Sequence, residues 1–153
     1  MSIRACLVFL VLLSPLMAAA PVFSQMEDGD VVALHYLSSG CFHNEDVRFV
    51  FTRTAGQISV VAHQRKRADE TEPRLIGRAS LSAPQVQRLD IFLRHYRLGL
   101  TQDSTTSETV EVKYIEDGSV VATETFINAR LPEESQALTM WELLRMLETR
   151  RND

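Results

Sequence analysis

The stretch TVEVKYIEDGSVVATETFI, residues 109–127, decides the fold class of this chain. Asp117-Gly118 is a strong signal for a two-residue β-hairpin turn, because both positions of such a turn require positive φ angles that these residue types tolerate. The flanking runs, Thr109–Glu116 and Val120–Ile127, are rich in the β-branched residues that favour strands. The sequence therefore predicts an antiparallel hairpin late in the chain.

Four further strands are predicted before this hairpin, over residues 31–37, 47–52, 58–63 and 74–79. In the second of them, Val47, Phe49 and Phe51 alternate with the residues between them, which is the period of a half-buried strand. Turn signals separate the strands at 38–40 and 54–57. Gly77 either weakens the fourth strand or marks a β-bulge within it.

A helix is predicted between the fourth strand and the late hairpin. Ser82 and Gln85 have the spacing of a capping box, and Gly99 is expected to end the helix in a left-handed conformation. The apolar side chains recur every three or four residues and form one stripe: Val86, Leu89, Phe92, Leu93 and Tyr96. The polar side is predicted to hold Arg88, Asp90, Arg94 and Arg97.

A second helix is predicted to begin at Pro132, where Glu133 and Glu134 would face its positive end. Its apolar face is predicted to hold Leu138, Trp141, Leu144 and Leu147. The element order is then β-β-β-β-α-β-β-α. We expect a two-layer α+β domain with an antiparallel sheet of about six strands and both helices on one face.

The amino-terminal residues have the order of a secretory signal peptide. Arg4 precedes the apolar run Ala5–Leu13, Pro15 breaks it, and small residues follow. We expect a signal peptide over 1–24, cleavage before Gln25, and one domain over 25–153, exported to the periplasm or the cell exterior. A cut after Ala20 is disfavoured because Pro21 would follow it. An uncleaved membrane anchor is the alternative, but the apolar stretch is shorter than the roughly 20 residues that span a bilayer.

Composition narrows the classes of partner. The 153 residues carry 16 basic and 20 acidic side chains, a net charge of −4, which argues against nucleic acid because binding to phosphates requires a basic surface. The expected partner is an unknown protein or an envelope component. No sequence pattern indicates a cofactor, a phosphate-binding loop or a serine-hydrolase elbow, and no catalytic residue is assigned.

The residues from His35 to Asp46 are the densest in chemically reactive side chains. Cys41 is the single cysteine left after the expected cleavage, and a nearby His43 would lower its pKa if both were exposed. His35 and His63 could join them around a metal ion if their strands were adjacent. Cys41, His43 and His35 therefore form a candidate thiol or ligand site, whereas a buried, inert Cys41 is the ordinary alternative.

The Ser39-Gly40-Cys41-Phe42 stretch, followed by a hairpin and a capped helix, resembles small exported bacterial domains of no known activity that carry a Gly-Cys-Phe loop. The resemblance covers roughly Val31 to Leu98 and implies a fold and an exported location, but no activity. A second cysteine or a Pro-Tyr pair, which some of these domains have soon after the loop, is absent here.

Two functional hypotheses follow. The first is a small exported, non-catalytic binding module, in which one face of the sheet or its loops is free to bind a partner. The alternative is a thiol- or metal-dependent site around Cys41 and His43.

Overall fold

The computed structural model of the chain describes residues 22–40, 44–65, 72–99 and 107–128, together with residues 142, 143, 145 and 147. The elements in chain order are β1 (Val31–Ser39), β2 (Asn44–Thr54), β3 (Gln57–Arg65), β4 (Arg74–Ser80), α1 (Ala83–Leu98), β5 (Ser107–Glu116) and β6 (Ser119–Ile127). The predicted antiparallel sheet of six strands is confirmed.

The strands form one sheet in the order β4-β3-β2-β1-β5-β6, and every neighbouring pair is antiparallel. The first four strands follow one another as hairpins. The chain then returns through α1 from the β4 edge and places β5 beside β1, at the centre of the sheet. Consequently β1 is paired on both sides along its whole length, from Val31 to Ser39.

The hairpin turns follow the residues that predicted them. Asp117 and Gly118 have φ angles of 48° and 77°, which are the positive values that a type I′ turn requires. The β3–β4 register shifts next to Gly77, between the pairs Ala62–Gly77 and His63–Leu75, so the predicted bulge is confirmed.

The core lies between one face of the sheet and α1. Alternate side chains of the central strands point into it and are fully or almost fully buried: Val32, Leu34, Val47, Phe49, Phe51, Val60, Val110 and Val112. The predicted apolar stripe of α1 covers them. Burying one such large apolar side chain contributes roughly 1.5–3 kcal/mol, so the contact between helix and sheet is the main stabilising layer.

Two predictions about α1 were wrong. Gly99 has φ −66° and ψ 139°, so it is extended, and the helix ends in a tight turn where the Gly99 N–H donates to the Tyr96 carbonyl at 3.3 Å. Asp90, predicted on the polar side, is 7% exposed. Its burial has a partner outside the helix, which is described below.

The second predicted helix is not confirmed, because most of the stretch from Pro132 lies outside the described residues. Within it, residues 142, 143, 145 and 147 are helical, and Leu143 and Leu147 are fully buried in the core. Among the described residues, no helix has both the length and the apolar character needed to cross a bilayer.

Candidate functional site

The face of the sheet that points away from α1 holds half-buried and exposed side chains. We call it the open face. It is built by the alternate residues of all six strands, which register places side by side: Val31, Ala33, His35, Leu37, Asp46, Arg48, Val50, Thr52, Ser59, Val61, His63, Arg65, Leu75, Arg78, Thr109, Glu111, Lys113, Ile115, Thr123, Thr125 and Ile127. Each of them is half-buried or exposed, and none is buried as the core residues are.

Register arranges the open face in rows that run across the strands. One row places Arg78, Val61, Val50, Ala33 and Lys113 side by side, so apolar side chains lie between two bases. The next row runs His63, Arg48, His35 and Glu111. The face therefore mixes small apolar groups with long cationic side chains, whose aliphatic stems also cover apolar surface.

The charge of the open face differs in sign from that of the whole chain. It carries four bases, Arg48, Arg65, Arg78 and Lys113, against two acids, Asp46 and Glu111. With neutral histidines this gives a surplus of two positive charges on a chain whose net charge is −4. A local surplus of this kind attracts negatively charged groups.

Both acids of the open face are already paired with bases or a histidine. Asp46 Oδ1 lies 2.8 Å from His35 Nε2, and Asp46 Oδ2 lies 4.0 Å from Arg65 Nη1. Glu111 Oε1 lies 2.8 Å from Lys113 Nζ. Arg48 and Arg78, by contrast, have no ion pair with any residue in the described part of the chain, so the positive charge left over is theirs.

A second polar cluster lies on the other side of the sheet, where the end of α1 meets β5 and β6. Arg97 donates to Glu124 with Nε at 2.8 Å and Nη2 at 2.5 Å, and Tyr114 donates its hydroxyl to Glu124 at 2.9 Å. The hydrogen bonds from Arg97 lower the pKa of Glu124, whereas burial raises the pKa of Tyr114. Every charged group of this cluster is satisfied within it, which indicates a structural contact between helix and hairpin.

Tyr96 and Tyr36 are buried close to Glu108. The Tyr96 hydroxyl donates to Glu108, and burial, reinforced by the Glu108 charge, raises the pKa of Tyr96. Burial also raises the pKa of Tyr36 to about 12, with the charge of Glu108 as the next cause. These tyrosines are held as neutral phenols at ordinary pH.

The candidate thiol or ligand site is brought together only in part. His35 lies on β1 and is paired with Asp46, while Cys41 and His43 lie outside the described residues. The condition that His35 and His63 occupy adjacent strands is not met, because β2 lies between them and Arg48 stands between the two histidines. Strands are spaced by about 4.8 Å, so the two histidine backbones are roughly 10 Å apart.

No group of three or more histidine, cysteine, aspartate or glutamate side chains within the described ranges is placed to hold a metal ion. A small cleft of about 220 Å³ lies between the amino-terminal segment and the β1–β5 pair, lined in part by Met26, Val32 and Tyr114. Pockets for small-molecule ligands are usually roughly 300–1,000 Å³. The open face is therefore the stronger candidate for a functional surface.

Sequence reasoning did not find the open face. The alternation in residues 47–52 separates Arg48 from the buried side chains, but it does not say which residues of other strands lie beside it. That information comes from register, which puts Arg48 between His35 and His63 and puts Arg78 beside Val61.

Comparison with known proteins gave no matching family model, no matching curated protein and no matching solved structure. The resemblance of the Gly-Cys-Phe stretch to small exported domains therefore stays a prediction.

Proposed function

We propose that this protein is an exported, non-catalytic binding module whose open face binds an acidic segment of a partner protein. The observation that carries the proposal is the surplus of positive charge at Arg48 and Arg78, on a sheet face that no described residue covers. The periplasm or the cell exterior is the proposed location, from the signal-peptide pattern.

The composition of the open face supports a protein as the occupant. Interfaces combine apolar contact with polar groups that select the partner, and arginine is enriched in them. Val50, Val61 and Ala33 supply apolar contact beside Arg78 and Lys113, while complementary charge steers the encounter and fixes its orientation. An acidic segment with apolar residues interspersed matches this pattern.

The arrangement of titratable groups supports the non-catalytic part of the proposal. Asp46 and Glu111 each have a basic or histidine partner, and the Arg97 cluster is satisfied internally. Active sites often hold groups with shifted pKa values in a cleft; Tyr114 has a raised pKa and lines the small cleft, but its hydroxyl is already bonded to Arg97 and Glu124. The thiol or metal alternative at Cys41 and His43 stays a prediction.

The experiment measures binding of a fluorescein-labelled peptide that alternates glutamate with valine, by fluorescence anisotropy at several salt concentrations. We expect the affinity for the peptide to fall as the salt concentration rises. In the double variant R48E/R78E the Kd is expected to rise at least about tenfold, which corresponds to a loss of roughly 1.4 kcal/mol or more of binding free energy. The matched control is R88E/R94E, which makes the same charge change at two exposed positions on α1. The control is expected to bind as the unaltered protein does.

Three results would contradict the proposal. One is an absence of binding by the unaltered protein at low salt. Another is an equal loss in both double variants, which would mean that net charge alone decides. The last is tighter binding of a single-stranded oligonucleotide of matched charge than of the peptide, lost in the same double variant. That result would identify a nucleic acid as the occupant.

A further inference from the structure

The segment from Val22 to Met26 is part of the hydrophobic core. Phe23 is fully buried, and its ring meets the Phe51 ring edge-on with centroids 4.8 Å apart. Met26 is 5% exposed, and Val22 packs against the same cluster. Phe51 lies on β2, so this segment contacts the middle of the sheet.

Asp90 holds the backbone of the same segment. The N–H of Phe23 donates to Asp90 Oδ1 at 2.7 Å, and the N–H of Ser24 donates to Asp90 Oδ2 at 3.1 Å. Both oxygens of a nearly buried carboxylate are thus used by two consecutive backbone donors. No lysine, arginine or histidine in the described ranges forms an ion pair with Asp90.

Cleavage after Ser24 would remove these interactions together. It would take the Phe23 side chain out of the core and remove both N–H donors of the Asp90 carboxylate on α1. Loss of a large buried aromatic side chain and of two hydrogen bonds to a charged group is destabilising. The folded domain is therefore expected to keep residues that the cleavage expected from the sequence would discard.

We infer that signal processing takes place on the amino-terminal side of Val22, and that Phe23 and Asp90 anchor the new amino-terminal segment to the domain. The inference rests on the proposed export of the chain. Within this region Ala20 and Ala18 are the small residues one and three positions before the bond after Ala20, which Pro21 follows, whereas cuts after Ala18 or Ala19 have Pro15 and Leu16 or Leu16 and Met17 among the residues before them, with Leu16 or Met17 at the third position.

The covalent step is the hydrolysis of one peptide bond by a signal peptidase, with water as co-reactant. The water oxygen adds to the carbonyl carbon of the residue before the cut, and the bond from that carbon to the next nitrogen breaks. The leader departs with a new carboxylate, and the retained chain gains a new amino group before Phe23.

The test begins with the full-length chain produced in a bacterial host. The exported protein is purified, and its intact mass and amino-terminal sequence are measured. We expect the chain to begin at or before Val22 and to keep Phe23. A folded exported chain that begins at Gln25 would overturn the inference.

A second measurement separates this inference from the proposed export. Amide hydrogen exchange is followed at Phe23 and Ser24 in whichever form of the chain is recovered, and we expect exchange slowed at least about 100-fold relative to an unstructured peptide. Asp90→Asn is expected to reduce this protection, whereas Arg88→Gln, on the exposed side of the same helix, is expected to leave it unchanged.

The outcomes are distinguishable. A chain that keeps its leader inside the cell, with protected Phe23 and Ser24 amides, would contradict export and the processing step while the anchoring contact stands. Unprotected amides at these residues would overturn the anchoring itself, whether or not the chain is exported.

Discussion

Substitution of Gly77 by alanine tests how closely the carboxyl-terminal helical residues pack against the sheet. A Cβ atom added at Gly77 would lie 2.6 Å from the carbonyl oxygen of Leu147. It would also lie 3.2 Å from the carbonyl carbon and 3.2 Å from the Cβ atom of Leu147. Because the nearest atom belongs to the backbone, no rotation of a side chain relieves the contact. Either the helical residues or β4 must shift.

The expected effect is a net destabilisation. The φ angle of Gly77 is not positive, so the strand itself accepts alanine and would gain roughly 0.5–1 kcal/mol from the lower entropy of the unfolded chain. Overpacking of this kind costs roughly 1–3 kcal/mol. The difference lowers the free energy of unfolding by about 1 kcal/mol, which corresponds to a melting temperature lower by about 4 °C for a chain of this size.

The assay is urea unfolding of the G77A variant, combined with amide hydrogen exchange at Leu143 and Leu147. Exchange at these two amides is expected to become faster. Gly118→Ala is the control: its Cβ would meet no atom within 4 Å, although its φ of 77° makes alanine strained there. It should lower stability without changing exchange at Leu143 and Leu147. A G77A protein as stable as the parent, or more stable, would refute the packing argument.

Three further predictions concern the polar groups. The folded-state pKa of Glu124 is lowered, so its ionised form stabilises the fold above the ordinary carboxyl pKa of 4.5, and this stabilisation is lost as the pH falls through the folded-state pKa. The free energy of unfolding of E124Q should therefore fall less steeply with decreasing pH than that of the parent. Equal slopes for the two proteins would contradict this. Burial raises the pKa of all three tyrosines, to about 12 for Tyr36, so tyrosinate absorbance should not rise near pH 10 while the protein is folded; a titration step there would show an exposed phenol. Cys41→Ser should leave binding of the acidic peptide unchanged. If this variant instead loses peptide binding, and native mass spectrometry shows that it also loses a bound metal, the Cys41 and His43 site would be favoured.

Local signals predicted most of the sheet. The positive φ angles at Asp117 and Gly118 are a property of those residue types, and the alternation around Phe49 is a property of one strand, so both are readable without the rest of the chain. The Gly77 bulge was likewise marked by a residue that strands disfavour.

The features that depend on distant contacts could not be predicted. Asp90 has the polarity of a surface residue, and its burial follows from two N–H groups 67 and 66 residues away in sequence. Phe23 lies among residues typical of a signal-peptide cleavage region, and its place in the core follows from its contact with Phe51. Register, which sets the neighbours of Arg48 on the open face, is also fixed by pairing between strands.

Chemical-shift mapping by NMR tests the central claim most directly, because it identifies the bound surface residue by residue. The unlabelled glutamate–valine peptide is titrated into the isotope-labelled protein, and the backbone amide shifts are followed. We expect the largest changes on β2, β3 and β4 around Arg48, Val61 and Arg78, with little change along the exposed side of α1. Changes confined to α1, or spread evenly over the protein, would contradict the claim that the open face is the binding surface.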